Sequence, residues 1–168
     1  HGITTPFYMV PGAKEVADSC GIVIGTSHCE PLMRNNVGEW DETKYGEYNY
    51  LTNRTSVQNY WIERLNEACN YENIYTIGMR GVHDSGMEGV KGLQEKTKAL
   101  QEVIDDQRRF LSKYVNSEVS KIPQQFVPYK EVLEIMDNGL NVPEDVILTW
   151  CDDNYGYMTR LSDEEQQK

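Results

Sequence analysis

Four short apolar runs punctuate this chain, and each ends abruptly in polar side chains of the kind that do chemistry. Residues 21–27 (GIVIGTS) lead into His28, Cys29 and Glu30, and residues 74–79 (IYTIGM) into Arg80, His83 and Asp84. Residues 126–129 (FVPY) lead into Lys130 and Glu131, and residues 146–151 (VILTWC) into Asp152, Asp153 and Asn154. Runs of this length bounded by turn residues read as buried strands. Helical spacing fills the intervals between them. Val57, Trp61, Leu65 and Ala68 predict a helix from about Asn53. Leu93, Leu100, Ile104, Leu111 and Tyr114 share one face of a long helix over 92–115. A third helix starts near Lys130 and stops at Asn138-Gly139, a C-cap signal with Pro143 just beyond. Residues 30–50 read as irregular, with Trp40, Tyr45, Tyr48 and Tyr50 among acids and glycines. Aromatics in such a stretch are expected to serve packing before sugar stacking.

Strand alternating with helix implies parallel strands joined by right-handed crossovers. The polar clusters then gather at the C-terminal ends of the strands, where α/β barrels and open α/β sheets keep their ligand sites. The expected class is therefore α/β: four visible strands make about half of a (β/α)8 barrel, or a small open sheet. At 168 residues the chain is read as a single domain-sized fragment, 1–168. It begins His-Gly and ends in a polar run at 162–168, so we expect a piece of a longer protein. The isolated piece would expose apolar sheet edges and be prone to aggregate.

Charge narrows the partners. The net charge is −11, from 16 basic and 27 acidic residues, with no basic cluster for a nucleic acid. No apolar stretch approaches a membrane span, so neither a nucleic acid nor a membrane is an expected partner. An anionic ligand must instead be met by a few placed cations. The four cysteines, Cys20, Cys29, Cys69 and Cys151, show no C-x-x-C spacing. His28 and Cys29 are adjacent, but neighbours on an extended strand point to opposite faces, so no metal site is expected there and no cofactor is assigned. The sequon at Asn53-Arg54-Thr55 bears only on a eukaryotic secretory protein.

Each polar tip admits a plain structural reading. Asp84, before Ser85-Gly86, suits a turn; Arg80 suits an ion pair with Asp84, or a carboxylate ligand. Glu131 suits the first turn of a helix, where the dipole favours an acid. His83 reads as solvent-facing, and Lys130 as solvent-facing or a salt-bridge partner. Asn154 suits a turn, and it also offers a donor and an acceptor side by side to sugar hydroxyls. Asp152 and Asp153 repel each other unless held, so one is expected to face the site and the other to anchor the loop.

Longer strings carry more. GTSHCEP (25–31), NNVGEWD (35–41), IGMRGVHDSGM (77–87), VIDDQR (103–108), PQQFVPYKEV (123–132), NGLNVPEDV (138–146) and WCDDNYG (150–156) resemble glycoside hydrolase family 115, in the family's order and over most of the chain. The resemblance implies an inverting α-glucuronidase with a (β/α)8 catalytic domain, which removes glucuronic acid or its 4-O-methyl ether from xylan or a related glucuronylated polysaccharide. It implies a homodimeric parent enzyme, secreted or periplasmic. By the matching strings, Glu131, Asp84 and Asp152 are catalytic candidates, and His28, Arg80 and Asn154 are substrate-binding candidates. One departure falls at 81–87, where GVHDSGM replaces a more acidic GDGDEPM-like segment and keeps Asp84 as its only acid.

Inverting hydrolysis needs a carboxylic acid and a carboxylate roughly 6.5–9.5 Å apart. Acids on different strand tips reach such a spacing. Glu131 and Asp84 are therefore expected as the principal pair, with Asp152 orienting and Arg80, with His28, meeting the uronate. Two rival classes remain: a metal-dependent barrel lyase or isomerase, and a non-catalytic carbohydrate-binding module.

Overall fold

A computed structural model describes residues 2–5, 11–158 and 160–164, leaving aside the side chains of residues 3–5 and His83. Five parallel strands form one sheet in the order of the chain: β1 (Gly2–Thr5), β2 (Val23–Thr26), β3 (Asn73–Ile77), β4 (Gln124–Phe126) and β5 (Ile147–Leu148). Each strand pairs with its sequence neighbour. Strict sequential order has no switch point, so successive right-handed crossovers stack on one face of the sheet. That is the winding of a barrel and not of a doubly wound sheet. The fold is α/β, part of a (β/α)8 barrel.

The first strand and the helix after it, α1 (Ala13–Ser19), went unread in the sequence. A four-residue run such as GITT is too short to declare a period. The other strands coincide only in part with the apolar runs that predicted them: β2 and β5 lie inside theirs, β3 begins one residue early at Asn73, and β4 shares only Phe126 with residues 126–129. The extra residues, such as Gly78, Met79 and Val127, belong to the loops that carry the polar tips.

The expected helices are present. α4 (Arg54–Ala68) turns Val57, Trp61, Leu65 and Ala68 inward, each fully buried. α5 (Leu93–Tyr114) buries Leu100, Val103, Ile104, Phe110 and Leu111. α6 (Glu131–Asp137) ends where Gly139 takes φ +89°, the left-handed turn that favours glycine. The irregular stretch holds two single turns, α2 (Asn36–Glu39) and α3 (Glu42–Tyr45). Its aromatics do pack: Trp40 lies against Tyr45, Tyr48 and Tyr60 at centroid distances of 5.2, 5.0 and 5.1 Å.

The sheet has unlike faces. Tyr75, Ile77 and Phe126 enter the apolar core with α4 and α5. The other face carries a buried polar belt. Thr76 Oγ1 donates to the Thr26 carbonyl (2.7 Å), and Gln125 Nε2 donates to that same carbonyl and to Thr76 Oγ1 (both 2.9 Å). Thr149 Oγ1 continues the belt to Gln125 Oε1 at 3.3 Å. Because buried polar groups hold their place only when satisfied, the belt locks β2 to β5 in register beneath the tips.

Gln107 plays a similar part from α5. Its Oε1 accepts the Gly78 N–H (2.7 Å) and its Nε2 donates to the Gly78 carbonyl (2.9 Å), just past the end of β3. Gly78 has φ +99°, and a β-carbon there would lie 3.0 Å from the Phe126 ring. The kink that aims Arg80 therefore depends on a glycine and on one fully buried amide. Gln107→Leu keeps the volume but strands both backbone groups. It is expected to destabilise the protein by about 2–4 kcal/mol, read as a lower midpoint in chemical unfolding; a shift near zero would show that Gly78 needs no partner.

Candidate active site

Four loops deliver the site, one from the end of each of β2 to β5. After β2 the chain turns at Ser27–Glu30, closed by the Glu30 N–H on the Ser27 carbonyl (3.1 Å). Glu30, almost fully buried, accepts from Ser27 Oγ at 2.8 Å, and its carbonyl accepts from Thr26 Oγ1 at 2.7 Å. His28 and Cys29 are the two central residues of this turn. The strand has already ended at Thr26, so strand alternation no longer applies, and both side chains reach the same atom. His28 Nε2 lies 2.9 Å from Asp84 Oδ1, and Cys29 Sγ donates to it at 3.5 Å. The expectation that these neighbours face apart is corrected by the turn.

After β3, Arg80 is buried with only 4% of its side chain exposed. Its Nε and Nη2 donate to the two oxygens of Glu131 at 3.0 and 2.8 Å, a bidentate pair. Its Nη1 pairs with Asp84 Oδ1. One guanidinium thus joins the two carboxylates that the sequence singled out. Nη1 lies opposite the Nε–Nη2 edge, so Glu131 and Asp84 occupy opposite sides of the planar group. Gly81 makes this hairpin-like loop feasible: a β-carbon there would fall 2.4 Å from the Gly86 carbonyl oxygen.

After β4, Tyr129, Lys130 and Glu131 form a tight turn into α6, with the Val132 N–H on the Tyr129 carbonyl at 3.1 Å. Lys130 Nζ reaches Asp84 Oδ2 at 2.5 Å while 46% of its side chain stays exposed. Tyr129 stands at the centre. Its ring lies 4.7 Å from that of His28 and 5.8 Å from the Arg80 guanidinium, and its hydroxyl donates to Asn154 Oδ1 at 3.1 Å. Three tip residues hold left-handed backbone conformations: Asp84 (φ 63°), Lys130 (φ 52°) and Asn154 (φ 70°). Each costs on the order of 1–3 kcal/mol, least for Asp and Asn, and such strain gathers at functional sites.

The structure therefore brings His28, Arg80, Asp84 and Glu131 into one contact network and attaches Asn154 through Tyr129. Asp152 stands apart. It is exposed, its Oδ1 accepts the Asn154 N–H (3.1 Å), and among the described residues no hydrogen bond or ion pair joins it to Glu131, Asp84 or Arg80. Its contact orients Asn154. Asp153 is the loop anchor, accepting the N–H groups of Tyr155 and Tyr157 at 3.0 and 3.1 Å. The His83 side chain lies outside the described residues. Tyr129 was the residue missed, although it stands in the YKE string. Lys130 was read as solvent-facing or a salt-bridge partner, and the structure supplies Asp84 as that partner.

Electrostatics follow the contacts. Burial pushes the Glu131 carboxyl up, but the Arg80 hydrogen bonds and charge outweigh it and leave the group below its ordinary value. Burial, then Arg80 and Lys130, push His28 down, which favours the neutral imidazole. Burial raises the Cys29 thiol. His28 Nε2, Cys29 Sγ and Asp84 Oδ1 lie within 4.8 Å of one another, a set of donors able to hold a metal ion. Chemically, the network offers two carboxylates on one cation, a second, more exposed cation, and a neutral imidazole.

The comparisons agree with the resemblance. No curated protein matches this sequence. A solved structure described as a novel family GH115 4-O-methyl-α-glucuronidase, BtGH115A, with specificity for decorated arabinogalactans, superposes with TM-score 0.90 at 47% identity. The match covers 97% of this chain and 22% of that one, so the chain spans about a fifth of that enzyme's length. The model of glycosyl hydrolase family 115 matches residues 3–168, and the chain belongs to that family.

Proposed function

We propose that this chain supplies one side of the active site of an inverting α-glucuronidase that removes glucuronic acid or its 4-O-methyl ether from a glucuronylated polysaccharide. The observation that carries the reading is the shared guanidinium: Glu131 and Asp84 on opposite sides of Arg80 at the C-terminal ends of parallel strands. Inverting hydrolysis uses two carboxyl groups set apart on different strand ends, with water entering on one face and the leaving oxygen on the other. Export beyond the cytoplasm and a homodimeric parent belong to the same reading.

The roles divide by cation. Glu131 keeps Arg80 on both oxygens and stays ionised, the condition of a general base. Asp84 is the general acid, and it needs a proton. In the free site the Arg80 and Lys130 charges both oppose that proton. The substrate brings its own carboxylate, and the reachable cation for it is Lys130, exposed where Arg80 is buried. Moving Lys130 from Asp84 to the uronate withdraws a positive charge from Asp84 and raises its proton affinity. Substrate charge then primes the acid. A uronate reaches Arg80 only by displacing a protein carboxylate, so Arg80 is read here as the tie between the catalytic pair. His28 and Asn154 line the pocket as sugar-hydroxyl partners.

Two outcomes check this in the full-length enzyme. Glu131→Gln is expected to lower kcat on a glucuronide by roughly 100- to 10,000-fold while ligand binding persists; retained turnover would leave Glu131 outside the chemistry and favour a binding module. Arg80→Lys replaces the fork with a point charge and leaves burial, which raises the Glu131 carboxyl, less opposed. Because Glu131 is depressed in the native fold, its favourable term is present above its unfolded pKa and lost as pH falls through the folded one. The variant is therefore expected to lose kcat/KM at a higher pH on the acid limb than the wild type. An unmoved limb would separate Arg80 from the ionisation of the base.

A further inference from the structure

The turn at Ser27–Glu30 assembles a second chemistry at the edge of the same site. His28 Nε2, Cys29 Sγ and Asp84 Oδ1 combine imidazole, thiol and carboxylate, and all three residues are only partly buried. Two of the three donor separations are near those around a bound zinc ion, and the nitrogen-to-sulfur separation lies within 4.8 Å. Zinc at about 2.0–2.3 Å from each donor in tetrahedral geometry separates the donors by roughly 3.3–3.6 Å. The oxygen-to-sulfur distance is already 3.5 Å, and the oxygen-to-nitrogen distance of 2.9 Å opens by about half an ångström to fit. Both hydrogen-bonded pairs converge on one carboxylate oxygen, so a single ion replaces two contacts at once. Cys29 is a free thiol, as an intact ligand must be.

We propose that His28, Cys29 and Asp84 form an inhibitory site for a thiophilic divalent cation, with zinc as the natural probe and the fourth position left to water. On binding, the Cys29 thiol gives its proton to solvent and ligates as thiolate. His28 ligates through Nε2 with its proton on Nδ1. Arg80 Nη1 gives up Asp84 Oδ1 but keeps both oxygens of Glu131, and Lys130 stays on Asp84 Oδ2. Two cations therefore already compete for Asp84. The competition makes the ion a reversible occupant and not a resident cofactor. It also removes Asp84 from service, so hydrolysis stops while zinc is bound. Only this last consequence rests on the glucuronidase reading; the binding does not.

The test uses the full-length enzyme and Cys29→Ser, which keeps a donor for Asp84, with inhibition in each protein read against its own metal-free rate. Cobalt(II) titrated as a zinc surrogate is expected to give a thiolate-to-metal charge-transfer band in the wild type that Cys29→Ser lacks. Zinc affinity is expected to fall roughly tenfold or more in the variant. Zinc inhibition of wild-type hydrolysis is expected to reverse with a chelator and to need at least about tenfold more zinc in the variant. A band or an affinity unchanged by Cys29→Ser overturns the site. If the glucuronidase reading fails, no inhibition can be measured, yet the cobalt band and the zinc affinity still decide the proposal. Cys29→Ala repeats the comparison without a hydroxyl ligand.

Discussion

Everything at the strand ends depends on one buried guanidinium. Two carboxylates from separate loops would repel each other across a half-desolvated pocket, and the two strand ends that carry them would drift apart. Arg80 turns that repulsion into a tie by taking Glu131 on one edge and Asp84 on the other. A planar fork does this where a lysine cannot, because it fixes direction as well as charge. The cost of burying Arg80 is met by its two hydrogen bonds to Glu131 and by the charge of Asp84. The backbone beneath is held by equally specific means: Gln107 on Gly78, and the Thr26–Thr76–Gln125 belt between strands.

The tie also explains why strained residues sit where they do. Asp84, Lys130 and Asn154 adopt left-handed backbone conformations at the ends of three different strands. A relaxed turn at Lys130 would change the direction in which the chain enters α6, and with it the path of Glu131 to Arg80. The same turn geometry places Lys130 over Asp84, so the exposed cation and the fixed carboxylate come from adjacent residues with different duties.

Much of this was legible in the sequence, for identifiable reasons. α4 and α5 were readable because Val57, Trp61 and Leu65, and Leu100, Ile104 and Leu111, repeat at helical spacing over several turns. The clusters after β2 and β3 were readable because these strands give apolar runs that stop where the polar tips begin; β4 carries two glutamines and β5 leaves Ile147 exposed, so their runs marked the tips more than the strands. β1 was not readable, since four residues show no period. Several partners were not readable either. That His28 and Cys29 converge depends on a local turn closed by Glu30 and on Asp84, which arrives opposite it from a distant loop. Arg80 was expected either to pair with Asp84 or to meet a ligand carboxylate; the pair with Asp84 is present, and the partner that the sequence did not suggest is Glu131, from the loop after β4. Asp152 was expected to orient the principal pair, and its position on the β5 loop gives it the Asn154 N–H as its partner instead.

The central claim, that Arg80 ties the catalytic pair while Lys130 receives the uronate, is tested most directly by the structure of the full-length enzyme with bound glucuronic acid. The account predicts Arg80 still bridging Glu131 and Asp84, and Lys130 moved from Asp84 onto the sugar carboxylate. A sugar carboxylate seated on Arg80, with Glu131 displaced, would contradict it.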